Sequence, residues 1–223
     1  MKRTVDIIIP VFNGDKFINE AIDSILKQSY QDFRILIVDD GSTDNTVSVV
    51  KKYLEKNKNI LLFEQPHFGQ PKTINRGLSE TTAEFICFLD ADDYWEETKL
   101  EKQLDYFDSN KDASACFTMI KEFESFEDNG VVQNYNARKN TMKGVSKTTI
   151  MFKRGLLELY NFFDEDQFIG VFINWFSKMI KDKIIYDTIN EVLVHRRVHD
   201  TNFTKTINRM DYLQFLKKHL KSG

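Results

Sequence analysis

The sequence predicts an α/β fold built on a mostly parallel sheet with helices on its faces. Three observations carry that expectation. In the amino-terminal half, short apolar runs rich in β-branched residues alternate with longer, helically spaced segments, the pattern of strands joined by crossover helices. The run "AEFICFLD" is nearly continuously apolar, as a central strand buried on both faces must be. That run and "FRILIVDD" both close on carboxylates, at the strand ends where open α/β sheets bind ligands.

In chain order, "VDIIIPVF" reads as the first strand. "DKFINEAIDSILKQSY" then places Phe17, Ile18, Ala21, Ile22, Ile25 and Leu26 on one helical face, with charge opposite. "FRILIVDD" is the second strand, and Ser42 or Thr43 is expected to cap a helix whose buried stripe is Val47, Val50 and Leu54. "NILLFEQ" is the third strand. The loop "PHFGQP" and a short helix around 72–80 lead into "AEFICFLD".

Beyond residue 110 the alternation fades. "ASACFTMIKEFESF" reads as a further strand, open to antiparallel pairing, and the polar "EDNGVVQNYNARKNTMKG" as a flexible loop over the site. "TIMFKRGLLELYNFF" and "GVFINWFSKMIKDK" are two packed segments, the second helical. "IIYDTINEVLVHRRVH" is a strand leading to a basic turn, and the tail spaces Ile207, Met210, Leu213 and Leu220 helically.

With 223 residues, 41% hydrophobic, 29% charged and only 3 Pro, the chain suits one soluble globular domain. A net charge of −3 gives no electrostatic reason for a nucleic-acid partner. Cys87 and Cys116 lie inside apolar runs with no zinc-like spacing, so they read as reduced core residues of a cytoplasmic protein. The opening "MKRTVDIIIPVF" lacks a signal peptide's long apolar region, and Asp6 and Pro10 interrupt it. No apolar run approaches the roughly 20 residues of a membrane span. Membrane contact would be peripheral, at the inner face, through the tail bearing Lys205, Arg209, Lys217, Lys218 and Lys221.

No G-x-x-x-x-G-K-[ST] loop appears, and "PVFNGD" lacks the glycine-rich dinucleotide fingerprint. A third device for holding phosphate is a divalent cation bound by carboxylates at a strand end. Asp90 and Asp92 are two apart in an extended segment, so they project to one side while Ala91 points away.

"IIIPVFNGDKFINEAIDSILKQSYQDFRILIVDDGSTDNT" followed by "FICFLDADDYW" strongly resembles the family 2 glycosyltransferases of the GT-A fold, closely over about residues 4–110. "MFKRGLLE" and "RRVHDTN" extend the resemblance into the less regular half. It implies a Rossmann-like nucleotide-sugar-binding half over 1–110 and an acceptor-side half with a C-terminal helix over 111–223. It implies that Pro10, Val11, Phe12 and Asn13 contact the nucleotide base, that Asp40 hydrogen-bonds it and that Asp39 supports the loop. Asp90 and Ala91 would face ribose or donor sugar, with Lys72 and Asn75 also on the donor. Asp92 would be the main metal ligand, for Mg2+ or Mn2+, with Asp90 and His199 joining it, Asp93 just behind, and Arg197 an anion partner.

The implied reaction is inverting transfer of a sugar from a nucleotide donor, uridine-linked in preference to guanosine-linked, to a glycan or lipid-linked acceptor in surface polysaccharide synthesis. A homodimer is compatible with it. Inversion needs a general base, which the family places in an acidic pair opening the helix at 170–182. Val171 and Phe172 stand there instead, so the candidate bases are Asp164, Glu165 and Asp166 of "FFDEDQF". That turn also reads as merely solvated, "VDDGSTDNT" as a helix cap, and the aromatics around Phe172 and Trp175 as core. The alternative function is a weakened homologue that binds a nucleotide sugar or a partner without turnover. A nucleotidyltransferase is a third, for which the Gly- and Lys-rich loop is missing.

Overall fold

The structure, a computed structural model, describes residues 3–128, 131–135, 141–143, 145–167 and 170–199. The expected alternation is present: β1 (Val5–Val11), α1 (Ile18–Leu26), β2 (Phe33–Asp39), α2 (Thr46–Leu54), β3 (Ile60–Glu64), α3 (Gln70–Ser79) and β4 (Phe85–Phe88). There follow β5 (Tyr94–Trp95), α4 (Lys99–Ser109), β6 (Ala115–Asp128), β7 (Val131–Tyr135), β8 (Thr141–Lys143), a 3-10 turn (Lys147–Thr149), β9 (Met151–Lys153), α5 (Gly155–Tyr160), α6 (Val171–Lys181) and β10 (Tyr186–Val198).

The strands form one sheet in the order β3-β2-β1-β4-β9-β6-β10-β5, with β7 and β8 also paired to β6. β1 to β4 run parallel. β9 runs against both β4 and β6, and β10 runs with β6. The carboxyl ends of β1, β2, β3, β4, β6 and β10 therefore share one edge.

Two apolar layers cover the sheet. One packs Ile18, Ala21, Ile22 and Ile25 of α1, Val50 of α2 and Leu100, Leu104 and Phe107 of α4 against Ile7, Ile9, Ile35 and Ile37. The other packs Ile74 and Leu78 of α3 and Phe172, Trp175, Phe176 and Met179 of α6 against Ile8, Leu36, Ile86 and Phe88. The aromatic cluster is thus core, with Phe162 exposed. Gly77 is where α3 meets β1, since a Cβ there would lie 2.5 Å from Ile8 Cγ2.

Two expectations change. The polar segment read as a flexible loop contributes β7 and β8, both antiparallel to β6. Neither Ser42 nor Thr43 caps α2; Asp44 Oδ1 accepts from Thr46 N–H at 2.9 Å. The C-terminal helix, its basic residues and Phe168 lie outside the described residues. No described helix is long and apolar enough to cross a membrane.

Two buried charges hold the framework. Asp6, fully buried in β1, accepts Arg34 Nε and an Arg34 terminal nitrogen at 2.8 and 2.7 Å, and the N–H groups of Thr82 and Ala83 at 2.7 and 2.9 Å. That carboxylate ties β1, β2 and the approach to β4 together. Lys99, fully buried, donates to Gln103 Oε1 at 2.7 Å and lies 3.9 Å from the Trp95 ring centroid.

Burial lowers the Lys99 pKa from its ordinary 10.5, against an opposing pull from Cys87 and Cys116. A base with a folded pKa below its unfolded one binds fewer protons when folded, so stability rises with pH between the two values. Urea unfolding should therefore show wild type gaining stability relative to Lys99→Met as pH rises from neutrality toward 10.5. A difference that is flat with pH would refute that account.

Candidate functional site

The shared edge is sewn together by side chains from adjacent loops. Asn13, at a left-handed φ of 50°, donates its N–H to Ser42 Oγ and accepts Thr43 N–H through Oδ1, both at 2.8 Å. Gly14 N–H donates to Thr46 Oγ1 at 2.8 Å. Asn13 is thereby committed to the loop after β2 rather than presented to a ligand. Pro10 and Val11 are buried, and the Val11 carbonyl accepts Asp40 N–H at 2.8 Å. Beyond the buried end of β1, the Phe12 ring faces outward, 45% exposed.

Asp39 and Asp40 have distinct tasks. Asp39 Oδ2 accepts the N–H groups of Gly41 and Ser42 at 3.2 and 3.0 Å, holding the turn. Asp40 Oδ1 accepts Gln65 Nε2 at 2.7 Å and Phe68 N–H at 3.0 Å, and Oδ2 accepts Gly69 N–H at 2.9 Å. Burial pushes the Asp40 carboxyl up, but the bonds from Phe68, Gln65, Gly69 and Thr73 together hold it below the usual carboxylate range. The Gly41 φ of 76° brings this turn close to the 65–69 loop, where a Cβ would meet His67 N at 2.8 Å. His67 stacks on Phe12 with ring centroids 4.0 Å apart and places Nδ1 2.8 Å from Asp40 Oδ2.

The three carboxylates after β4 diverge. Asp90 pairs with Lys147, whose side chain is only 11% exposed. Asp92 Oδ2 lies 3.0 Å from His199 Nε2, and the His199 ring packs on Phe17 at 4.8 Å. Asp93 is buried, and its Oδ1 accepts Arg197 N–H at 2.9 Å. Burial first, then the neighbouring Asp92 and Asp90 charges, raise the Asp93 pKa well above the ordinary value.

Arg197 sits behind this cluster rather than at its mouth. It is 1% exposed, donates through Nε to the Asp92 carbonyl at 2.8 Å, and reaches Ser125 Oγ and Glu20 with its terminal nitrogens. Phe17 and Phe123 cover it, each ring centroid 4.6 Å from Cζ. Burial and these contacts make Arg197 a support of the cluster.

Asn75 likewise joins two elements. Its amide accepts Phe163 N–H at 2.9 Å and donates to the Phe163 carbonyl at 2.9 Å and to Glu165 Oε1 at 3.0 Å, tying α3 to the 163–165 loop. Lys72, one turn earlier, is exposed with Nζ 5.4 Å from the Phe68 ring centroid. Asp164 Oδ1 accepts Asp166 N–H at 3.1 Å. The first turn of α6 holds no acidic residue.

The donor set at Asp92 and His199 suits a divalent cation. Two ligands each about 2.1 Å from a metal and at right angles stand about 3.0 Å apart, the spacing these two atoms have. Asp90, turned to Lys147, does not join them, and among the described residues no group of three or more His, Cys, Asp or Glu could hold a metal. Further positions would fall to oxygens of a bound ligand and to water. His67, Lys147, Glu20 and Phe17 were not foreseen as site residues. Only His67 carried a signal, its place in a loop after a strand end.

The family model described as Glycosyl transferase family 2 matches residues 6–162. An uncharacterized glycosyltransferase of Haemophilus influenzae is 38% identical over 107 residues, 48% of this chain and 43% of that protein. Another, from Rickettsia typhi, is 29% identical over 236 residues, 97% of this chain and 73% of its own length. Among solved structures, S. aureus TarS 1-349 in complex with UDP aligns with a TM-score of 0.72 at 23% identity, over 87% of this chain and 60% of that one. The mannosyltransferase PcManGT from Pyrobaculum calidifontis, in complex with GDP-Man and Mn2+, aligns with a TM-score of 0.71 at 21% identity, over 89% and 58%. At such identities the likeness is one of fold, the GT-A arrangement. The chain spans less than half of the Haemophilus relative and about three fifths of the two solved chains.

Because Arg197 is buried and its donors hold the Asp92 carbonyl, Ser125 and Glu20, Arg197→Met should cost about 1–3 kcal/mol in denaturant unfolding. Lys72→Met, on an exposed side chain, should stay within about 0.5 kcal/mol of wild type.

Proposed function

As the chain belongs to glycosyl transferase family 2, we propose that it is a metal-dependent, inverting glycosyltransferase using a nucleotide-sugar donor, uridine-linked in preference to guanosine-linked. The single observation that carries this reading is the Asp92 and His199 pair, held at the carboxyl edge of the sheet on the ends of β4 and β10. Phe12 and Asp40 lie on the same edge, at the ends of β1 and β2. An exposed ring beside a buried carboxylate is the apparatus for stacking a base and accepting its N–H.

In this reading Asp92 and His199 would hold Mg2+ or Mn2+, which would supply positive charge where a departing diphosphate develops negative charge. The acceptor hydroxyl attacks the anomeric carbon, the bond from that carbon to the diphosphate oxygen breaks, and the hydroxyl proton passes to a base. Lys72, exposed at the start of α3, and Lys147, beside Asp90, are the cations this chain can turn toward the diphosphate and sugar. Residues 1–110 form the donor half and the remainder the acceptor side. A glycan or lipid-linked acceptor, a role in surface polysaccharide, a homodimer and peripheral membrane contact through the tail belong to the same proposal.

For the base, Asp166 is preferred among the three candidates because the other two are engaged. Asp164 is engaged with the Asp166 N–H and Glu165 with Asn75. A second reading is favoured by the start of α6, where Gly170, Val171 and Phe172 offer no proton acceptor: a donor-binding homologue without turnover.

Calorimetry with UDP and GDP should show binding that Mn2+ strengthens and that Asp92→Ala or His199→Ala weakens at least about tenfold, about 1.4 kcal/mol. Binding indifferent to metal and to both substitutions would overturn the metal-dependent reading. Donor turnover then separates enzyme from binder. Asp166→Asn should lower kcat about 100-fold or more with donor affinity unchanged, whereas equal turnover by Asp164→Asn, Glu165→Gln and Asp166→Asn would remove this loop as the source of the base.

A further inference from the structure

The imidazole of His67 reproduces both halves of nucleobase recognition. Its ring lies on Phe12, with centroids 4.0 Å apart and planes at 27°. Its Nδ1 lies 3.1 Å from the Asp40 carbonyl oxygen and 2.8 Å from Asp40 Oδ2. Both neighbours are acceptors, so the tautomer that fits carries the proton on Nδ1. An aromatic face on Phe12 and a ring N–H on Asp40 are what a base with an imide-type N–H would offer to the same two residues.

Asp40 Oδ1 accepts Gln65 Nε2 and Phe68 N–H at 2.7 and 3.0 Å, Oδ2 accepts Gly69 N–H at 2.9 Å, and Thr73 also bonds to the carboxylate. His67 Nδ1 is a further donor, on Oδ2. The first three donors belong to the packed 65–69 loop and the start of α3, and Asp40 itself is buried. His67 differs: its side chain is 56% exposed, and rotation about its side-chain bonds moves it into water without disturbing the loop. It is the one donor to Asp40 that an incoming base can replace cheaply.

We propose that His67 is a resident stand-in for the nucleobase, closing the base slot in the free protein and swinging out when a base with a ring N–H enters between Phe12 and Asp40. The proposal rests on the reading of those two residues as the base site. A nucleotide then binds only the fraction of molecules with the slot open, so its apparent affinity is reduced by that fraction. Leaving the stack also releases the Nδ1 hydrogen bond to water, which makes the exchange nearly neutral in bonds made and broken.

The test is titration calorimetry of the full chain with UDP and with GDP, in Mn2+, for wild type, His67→Ala and Phe12→Ala. His67→Ala should bind at least one of the two about 3- to 10-fold more tightly, as expected if the open form is about a tenth to a third of the population. Phe12→Ala should bind more weakly. Unchanged or weakened binding by His67→Ala, with Phe12→Ala weakened, overturns the stand-in and leaves the base site intact, making His67 a wall of the slot. Binding untouched by Phe12→Ala, or none to either nucleotide, overturns the base-site reading and the stand-in with it. Imidazole NMR gives a separate readout, since the chain has 4 histidines: saturating nucleotide should move the His67 ring resonances away from their Phe12-stacked positions. Resonances that stay in place with nucleotide bound overturn the proposal.

Discussion

The site depends on the burial of one guanidinium. A buried Arg is tolerable only when its donors are satisfied and its charge is balanced. Arg197 meets that demand by drawing in the Asp92 carbonyl, Ser125 of β6 and Glu20 of α1, while Phe17 and Phe123 cover its faces. Its own N–H fixes Asp93. The α1 helix, the turn after β4, and strands β6 and β10 are therefore locked in one relative position. Residues two apart on a strand share a face, so the register that buries Arg197 also brings His199 to Asp92. That register is set by irregularities in the β10–β6 pairing between Ile189 and Val194. A slip of one residue would face Arg196 toward the carboxylates and send Arg197 to the other side.

The fold was legible where the signal is local. Apolar runs at strand spacing and the helical stripe of α1 are each written within about ten residues, and both appear where the pattern put them. Long-range contacts leave no such mark. Lys147 meets Asp90 across 57 positions and Glu20 meets Arg197 across 177, and neither lysine nor glutamate looks unusual in its own segment. The cap of α2 was ambiguous because Ser42, Thr43 and Asp44 can all serve; tertiary demand decided, with Ser42 and Thr43 drawn to Asn13. The β7 and β8 strands were hidden by composition, although an Asn-Gly pair ahead of "VVQNY" is a hairpin signal in its own right.

Carboxylates crowded at a strand end raised the expectation that a cation joins them. The chain itself supplies much of that compensation: Lys147 for Asp90, His199 for Asp92, and ring and backbone donors for Asp40. Asp93, buried beside the Asp92 and Asp90 charges, is the carboxyl driven toward its neutral form. Self-compensation of this kind keeps the edge folded without ligand. It also means that binding is an exchange of partners, in which the gain from a nucleotide or metal is measured against the internal contact it replaces.

The Asp40 contacts reach the 163–165 loop through α3. The helix begins where Gly69 N–H meets Asp40 and, a turn and a half later, offers Asn75 to Phe163 and Glu165. The loop carrying Asp164, Glu165 and Asp166 is thus anchored to the same rigid element that meets Asp40. At the start of α6, Phe172 is packed against Phe163 and Trp175, so a carboxylate at that position would be buried among aromatic rings and held neutral. Under the proposed transferase reading, the candidate bases are then the carboxylates of the 164–166 loop. The Asn75 amide, by fixing Phe163 from both its N–H and its carbonyl, sets how far that loop can travel.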